Sequence, residues 1–463
     1  MSRDPNLCCG PRPADFRRCA PGVGVVFLLA LGIYALTLAP DLTWAHWGAD
    51  GGDLVVAAVA RRLPHPPGFP LYEALARAFV RLPWGSPAWR TNLLSALLAA
   101  ATAATLAWTL LRRGVDPVIA VSTSLLLAAT PLLWSQALIT EVYAPAAFFA
   151  AQTVAWTQET PATSRRAFVG GCIWGWGLSV HPALIFLAPL WGGVPRRLWA
   201  SWAGGVVVGL LPYALLPLIG AGPQPWGDVH NLAGWWDYVT ARLYWGYAFA
   251  LPWKALPQRF LAWLALLIRQ FTPVGAALAA VGAASLARRE RLSFWRTLLA
   301  FGAASAYAIG YHTTDSLVYL TPYLIIPALW LAEGATQVVA RLDVRRARWW
   351  SLALPLVALL WQWGTLDLHR DTSAREWWEA TLRAAPPGAV LVTAADAHTF
   401  TLWYAQEAVG ARPDITVVDR DLWAQASYRQ FMGASAADPA PALDTFFAGR
   451  VRCTVDTAGL TCP

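Results

Sequence analysis

Long apolar stretches, broken by short polar links, set the plan of the chain. Runs without charge lie at about 22–39, 92–111, 118–133, 142–156, 167–178, 182–191, 199–220, 271–286, 298–311, 317–331 and 349–366. A helix needs about 20 residues to cross a bilayer, with a floor near 17. Several of these runs are shorter. The pair 167–178 and 182–191, split by Ser179-Val180-His181, reads as two half-length helices. Such interruptions are tolerated at membrane depth only where they are buried in protein or line a wet cavity. The first run follows Arg17 and Arg18 and ends in Ala39-Pro40-Asp41, without a small-x-small cleavage pattern. It is read as a retained span rather than a signal peptide. The pattern predicts an all-α polytopic membrane protein of about eleven transmembrane or half-membrane helices over residues 1–366. After residue 367 it changes. Ala389–Thr393 and Ile415–Val418 read as strands flanking a helix over His398–Val409, which predicts a small α/β domain over 367–463.

Composition agrees. The chain is 57% hydrophobic and 13% charged, well below the roughly 25% charge of a soluble domain. Of 28 Trp, many sit near the ends of apolar runs, as interfacial belts do. The net charge of +8 comes from arginine, with Lys254 the single lysine. A basic balance can signal nucleic acid, but here the arginines fall in short clusters between spans and no basic soluble domain exists, so nucleic acid is excluded as a partner. Arg112-Arg113, Arg165-Arg166, Arg196-Arg197, Arg288-Arg289 with Arg291 and Arg296, and Arg341 with Arg345, Arg346 and Arg348 mark one side. The links 135–141 and 311–316 hold none. By the positive-inside rule the arginine side and the N-terminus are cytoplasmic. The C-terminal region is then extracytoplasmic. Cys453 and Cys462 could close a small disulfide loop there or stay as free thiols.

Three segments fall on the outer side: the first loop (41–91), a second loop (221–259) and the tail. The first loop carries Asp50-Gly51-Gly52-Asp53, then His65-Pro66-Pro67-Gly68-Phe69-Pro70, with Arg61, Arg62, Arg77, Arg81 and Arg90. Asp50 can cap the helix that follows, or serve as a carboxylate at the mouth of a cavity. Two acids within one turn could take a proton from an attacking hydroxyl or hold a divalent metal. His65 either stiffens a linker or contacts a phosphate or acceptor. The arginines could grip a lipid phosphate or touch anionic headgroups generally. Glu141 and Tyr143 stand at a membrane boundary, where an acid is a site candidate by default. His181 at the helix break and Asp315 complete the outward set. The second loop, rich in Trp and Tyr, reads as interfacial and holds Asp228 and His230. Asp396, after a strand, caps a helix or marks an acceptor site.

The stretches ADGGDLVVAA, HPPGFPLY, SPAWRTNLLSAL and ITEVYAP resemble bacterial proteins of the protein O-mannosyltransferase-like branch of the GT-C glycosyltransferase superfamily. GLSVHPALIFLAP, PWGD, YHTTDS and DAHTFTLWYAQEAVGARPDITVVDRDLW extend the likeness over most of the chain. The family usually shows Asp-Ser-Gly-Glu and His-Pro-Pro-Gly-Tyr-Pro-Leu-Tyr. Here Gly51 replaces the Ser, Asp53 the Glu and Phe69 the Tyr. The resemblance implies a GT-C fold and transfer of a sugar, mannose in the first instance, from a polyprenyl-phosphate sugar to a hydroxyl of protein, lipid or glycan. Asp50 is then the expected base, with Asp53 assisting or sharing a metal. His65, Arg61, Arg62, Arg90, Glu141, Tyr143, His181, Asp228 and Asp315 are expected to bind substrate. No cofactor beyond the lipid-linked donor and that divalent ion is expected. A transporter or flippase of lipid-linked intermediates also accounts for broken helices and intramembrane acids, and a non-catalytic scaffold is the third reading.

Overall fold

The computed structural model describes residues 13–60, 62–220, 222–342, 346–435 and 441–463, with side chains from residue 19. Arg61, expected at the site, lies outside the described residues, as do Cys8 and Cys9.

The helices in chain order are α1 (Pro13–Thr37), α2 (Gly51–Ala60), α3 (Pro70–Phe79), α4 (Pro87–Arg112), α5 (Pro117–Ala128), α6 (Pro131–Ala137), α7 (Tyr143–Thr157), α8 (Ser164–Val180), α9 (Trp199–Leu210), α10 (Leu216–Ile219), α11 (Leu232–Val239), α12 (Leu256–Arg289), α13 (Arg291–Gly310), α14 (Ile325–Leu342), α15 (Ala353–Leu366), α16 (Ser373–Ala384) and α17 (Asp396–Trp403). Four stretches, Cys19–Thr37, Pro87–Arg112, Arg196–Ile219 and Trp253–Arg289, are long and apolar enough to cross a membrane. Two bent pairs add to them: α5 with α6, at 63°, and Ser316–Tyr323 with α14, at 50°. The chain is an integral membrane protein.

Proline placement explains most of the starts and breaks. Pro87, Pro117 and Pro131 open their helices, where a missing amide costs nothing. Ser86 and Asp116 cap α4 and α5 by accepting from Trp89 N and Val118 N. The expected break at His181 is present: α8 ends at Val180, and Pro182–Gly193 continues as a 3₁₀ turn. The run at 271–286 is part of a longer element. α12 is 34 residues long, broken where Thr272 takes φ 63° before Pro273. Thr272 Oγ1 accepts from Gly275 N at 3.3 Å and restarts the helix.

With no water to drive helices together in lipid, close backbone approach does the work. α8 and α9 cross on Gly171, Gly175, Gly205 and Gly209. A Cβ on Gly205 would come 2.0 Å from Phe168 O, and one on Gly175 2.5 Å from Val206 O. α12 meets α14 the same way, through Gly282 and Gly334.

After α16 the chain forms a four-stranded sheet in the order β2-β1-β3-β4. β1 (Val390–Thr393) runs parallel to β2 (Thr416–Asp419) and to β3 (Arg452–Asp456), and β4 (Gly459–Thr461) returns antiparallel to β3. Cys453 and Cys462 are disulfide-bonded across that last hairpin. The tail shares its core with the first loop. Val55, Val56 and Leu63 are buried in one cluster with Trp226, Phe400, Trp403 and Tyr404. At Gly52 a Cβ would meet Phe400 O at 2.3 Å, so only glycine lets α2 lie this close to α17. Asp41 accepts from Tyr404 Oη at 2.5 Å and Arg375 Nε at 2.7 Å, and Trp44 Nε1 donates to Thr401 Oγ1 at 2.8 Å.

Candidate active site

The first loop turns twice before α2. His46 and Trp47, at φ 58° and 69°, occupy the left-handed region inside the turn Ala45–Asp50. Such strain persists where the surroundings over-determine it, and it gathers at functional sites. Asp50 ends this turn and Asp53 lies in the first turn of α2, so the spacing of three sets both carboxylates on one side of the helix start, where a single His65 ring meets both.

Asp53 is fully buried. Its Oδ2 accepts from the His65 backbone N at 2.6 Å and from His65 Nδ1 at 3.0 Å. Its Oδ1 accepts from Trp226 Nε1 at 3.4 Å and stands 3.8 Å from Arg62 Nη2. The other ring nitrogen, His65 Nε2, faces Asp50 Oδ2 at 3.7 Å. His65 is thus clamped between two acids. Gly68, at φ 85°, packs on the Tyr238 ring, whose hydroxyl donates to Pro64 O. The second loop therefore fixes the segment that carries His65. Burial opposes a charged imidazole. The Asp50 charge, the hydrogen bond and charge of Asp53, and Glu141 outweigh it and carry His65 up to about 9. At neutral pH it is an imidazolium.

Asp50 keeps 41% of its side-chain surface open, yet protein surrounds it on all sides. Both hold for a carboxylate at the floor of a recess. That enclosure raises its pKa, with Asp53 and Asp315 adding to the rise and His65 opposing it. Glu141 is buried, and Asp50, His65 and Asp315 all act on its charge. Tyr143, His181 and Tyr319 form an aromatic wall, with ring centroids 5.5–5.7 Å apart, and Phe69 stacks on His181 at 5.8 Å. His181 Nδ1 accepts from Ala183 N at 3.1 Å, which leaves Nε2 as its donor. The structure brings Asp50, Asp53, His65, Glu141, Tyr143, His181 and Asp315 together.

The expected arginines are elsewhere. Arg62 turns away from the recess: it is 5% exposed, bonds Glu407 Oε1 at 2.5 Å and lies 4.3 Å over the Trp403 ring. Arg90 donates to the carbonyls of Trp84, Val80 and Gly85 at 2.9, 2.5 and 3.0 Å, holding its own turn. Asp228 caps a surface turn by accepting from His230 N and Asn231 Nδ2. A charge pattern in sequence does not say which way a side chain turns. The divalent ion expected between Asp50 and Asp53 would meet the His65 ring already placed there. Among the described residues no group of three or more His, Cys, Asp or Glu is disposed to hold a metal.

Three further groups border the recess. Tyr244 lies 6.5 Å from the His65 ring. Asp396, the first residue of α17, is exposed to solvent at the edge of the recess, yet the protein around it and then the Asp50 charge raise it to about 6. Its place after β1 is the only sequence sign of it. Arg259 donates to Ser316 Oγ at 3.0 Å and Thr313 O at 2.8 Å, beside Asp315. It is the last residue of the aromatic second loop, and no motif singles it out.

Residues 50–194 match the domain family described as the protein O-mannosyl-transferase TMEM260 N-terminal domain, and residues 374–445 match TMEM260-associated domain 2. The recess draws on both matched stretches. The protein O-mannosyl-transferase TMEM260 of Mus musculus is 23% identical, over 87% of this chain and 63% of its own length. That of Dictyostelium discoideum is also 23% identical, over 57% of this chain and 36% of its own. The chain thus spans less than two thirds of the curated relatives it matches. Among solved structures, ArnT from Cupriavidus metallidurans bound to undecaprenyl phosphate superposes with a TM-score of 0.59 at 13% identity, covering 95% of this chain and 94% of that one. In its matched domains and in its fold, the chain is similar to GT-C proteins of the protein O-mannosyltransferase-like kind.

Proposed function

We propose that the chain is a membrane glycosyltransferase that moves a sugar, mannose in the first instance, from a polyprenyl-phosphate donor to a hydroxyl acceptor on the outer face of a bacterial inner membrane. The observation that carries this reading is Asp50: an accessible carboxylate in an enclosed recess, backed by a buried His65–Asp53 pair. A raised carboxylate is a better base toward a hydroxyl than an exposed one. Asp50 takes the acceptor proton as the sugar is attacked. Asp53 orients His65 from behind. The imidazolium offsets the acids of the recess and, with Arg259, faces the departing phosphate. His181 Nε2–H and Tyr143 contact the sugar, and Asp396 contacts the acceptor from the tail side. The polyprenyl tail lies in the apolar groove between helices. The reading carries eleven crossings or half-crossings, with the N-terminus and the arginine clusters cytoplasmic and the tail outside.

Membranes bearing the chain are supplied with labelled polyprenyl-phosphate mannose. Label is expected to enter protein, lipid or glycan in an Asp50-dependent manner. Transfer at the wild-type rate by Asp50→Asn, or no transfer from any polyprenyl-phosphate sugar, overturns the reading.

A further inference from the structure

α4 begins beside the recess and ends at Arg112; α7 runs from Tyr143 to Thr157; α13 starts at Arg291 and reaches the recess side at Gly310. At about 1.5 Å per residue, the 26 residues of α4 carry its far end a full membrane thickness from the acids. A second cavity, of about 380 Å³, opens there between α4, α7 and α13, lined by Arg113, Gln158, Thr160, Glu290, Ser293 and Arg296. It shares no residue with the recess. A small cavity of about 20 Å³, lined by Leu110, Val115, Leu286 and Leu329 and also by Gln158, Thr297 and Glu333, adjoins it through Arg113 and Ser293.

The charges in it do not balance. Arg113 donates to Gln158 Oε1 at 2.5 Å and pairs with Glu290 at 3.4 Å. The other acids of this end are engaged: Glu159 with Arg112 and Arg166, Glu333 with Arg289, Asp116 with Arg348. Arg296 has no acid within ion-pairing distance among the described residues. Its guanidinium lies along Gly192-Gly193, where a Cβ on Gly193 would stand 2.8 Å from Nη1. Glycine there leaves the cation room. A hydroxyl-lined cavity with one uncompensated guanidinium, at the arginine-rich end of the helices, matches the chemistry of a phosphate group.

We propose that this cavity binds a phosphate group, from a membrane lipid headgroup or from a free phosphate ester, through Arg296 with Arg113 beside it. The test uses the purified full chain in nanodiscs made with phosphatidylglycerol or with phosphatidylcholine. Native mass spectrometry counts retained lipid, and calorimetry follows inorganic phosphate. Arg296→Gln should lower retained phosphatidylglycerol about tenfold, the loss of one charge-assisted contact. Thr160→Trp, at the exposed mouth, should exclude the ligand with both arginines in place. Arg165→Ala, exposed on the same end but outside the cavity, should change nothing. Displacement of the lipid by inorganic phosphate identifies a free phosphate as ligand; retention against phosphate identifies the lipid. Wild-type retention in both Arg296→Gln and Thr160→Trp, or no preference for phosphatidylglycerol together with no phosphate binding, overturns the proposal.

Discussion

Asp50 and Asp53 stand one helical turn apart and meet opposite surroundings. Asp50 opens on a recess walled by Tyr143, His181 and Tyr319 and shared with Glu141 and Asp315. Asp53 is sealed against the tail, where Trp226, Arg62, Glu407 and Trp403 close over it. The difference separates two tasks that identical side chains could share. An accessible carboxylate can exchange a proton with a ligand. A buried one with its oxygens occupied can only hold what it holds, here the His65 ring. The tail helps to make them different, because Glu407 and Trp403 close over the Arg62 that faces Asp53 and do not cover Asp50.

The sharpest way to break that comparison is to neutralise each acid in turn. Asp50→Asn should lower sugar transfer by about 10²–10⁴-fold, the usual contribution of a positioned base, with a smaller loss of melting temperature than Asp53→Asn, since the Asp50 charge also helps to hold the His65 imidazolium. Asp53→Asn should do the reverse in kind. Its amide oxygen can keep both His65 bonds, but its NH2 then faces Trp226 Nε1 and Arg62 Nη2, and loss of one charge from a buried charged cluster costs about 3 kcal/mol or more. Thermal unfolding should show that loss, while transfer by the folded fraction falls by only about tenfold, the loss expected of a group that positions rather than reacts. If Asp53→Asn is the stable, inactive variant and Asp50→Asn the unstable one, the roles are exchanged.

Part of this was legible from residue order. The acids flanking Gly51-Gly52, the stiff His65 segment, the break at His181 and the strand–helix–strand of the tail all show in local pattern, because each depends on backbone chemistry that proline, glycine or alternation announces. What did not show depends on contacts far apart in sequence. Arg62 reads like Arg90 and Arg77 in the chain, yet it is drawn to Glu407, 345 positions on. Asp228 sits in a suggestive Trp-Gly-Asp setting but caps its own turn. β3 alternates in burial over its five residues but lies 33 positions beyond β2, and β4 has only three residues; β3 pairs parallel to β1 and β4 returns antiparallel to β3. Gly52 is conspicuous only once Phe400 lies against it.

A smaller effect follows from the ring between the two acids. His65 sits at about 9 in the folded chain, above its ordinary value near 6.5 in the unfolded one. A raised value means that the stabilisation is complete below about pH 6.5 and is lost as pH climbs through 9. At about 1.4 kcal/mol per pH unit the loss is on the order of 3 kcal/mol. Melting temperature followed from pH 6 to pH 10 should fall across that window in the wild type and stay flat in His65→Gln. A wild-type profile that rises, or a fall that His65→Gln retains, removes the imidazolium from the clamp.

The smallest effect tests whether the tail reaches the recess through Asp53. Glu407 is about one-third exposed, and its carboxylate holds Arg62 at 2.5 Å. Arg62 Nη2 in turn faces Asp53 Oδ1 at 3.8 Å, and the guanidinium packs over Trp403. Glu407→Gln keeps a hydrogen-bond acceptor for Arg62 and removes only charge, so the stacking survives and stability should drop by no more than about 1 kcal/mol. With Glu407 neutral, Arg62 is attracted more strongly to Asp53 and competes with His65 for that carboxylate. The stability lost between pH 6.5 and 9 should therefore shrink, and transfer should fall only by a few-fold. Arg62→Lys keeps the charge without the planar stack and should loosen the tail while preserving the His65 titration. Matching effects of the two substitutions on that titration would mean that the Arg62–Glu407 pair merely fastens the tail, and that Asp53 does not feel it.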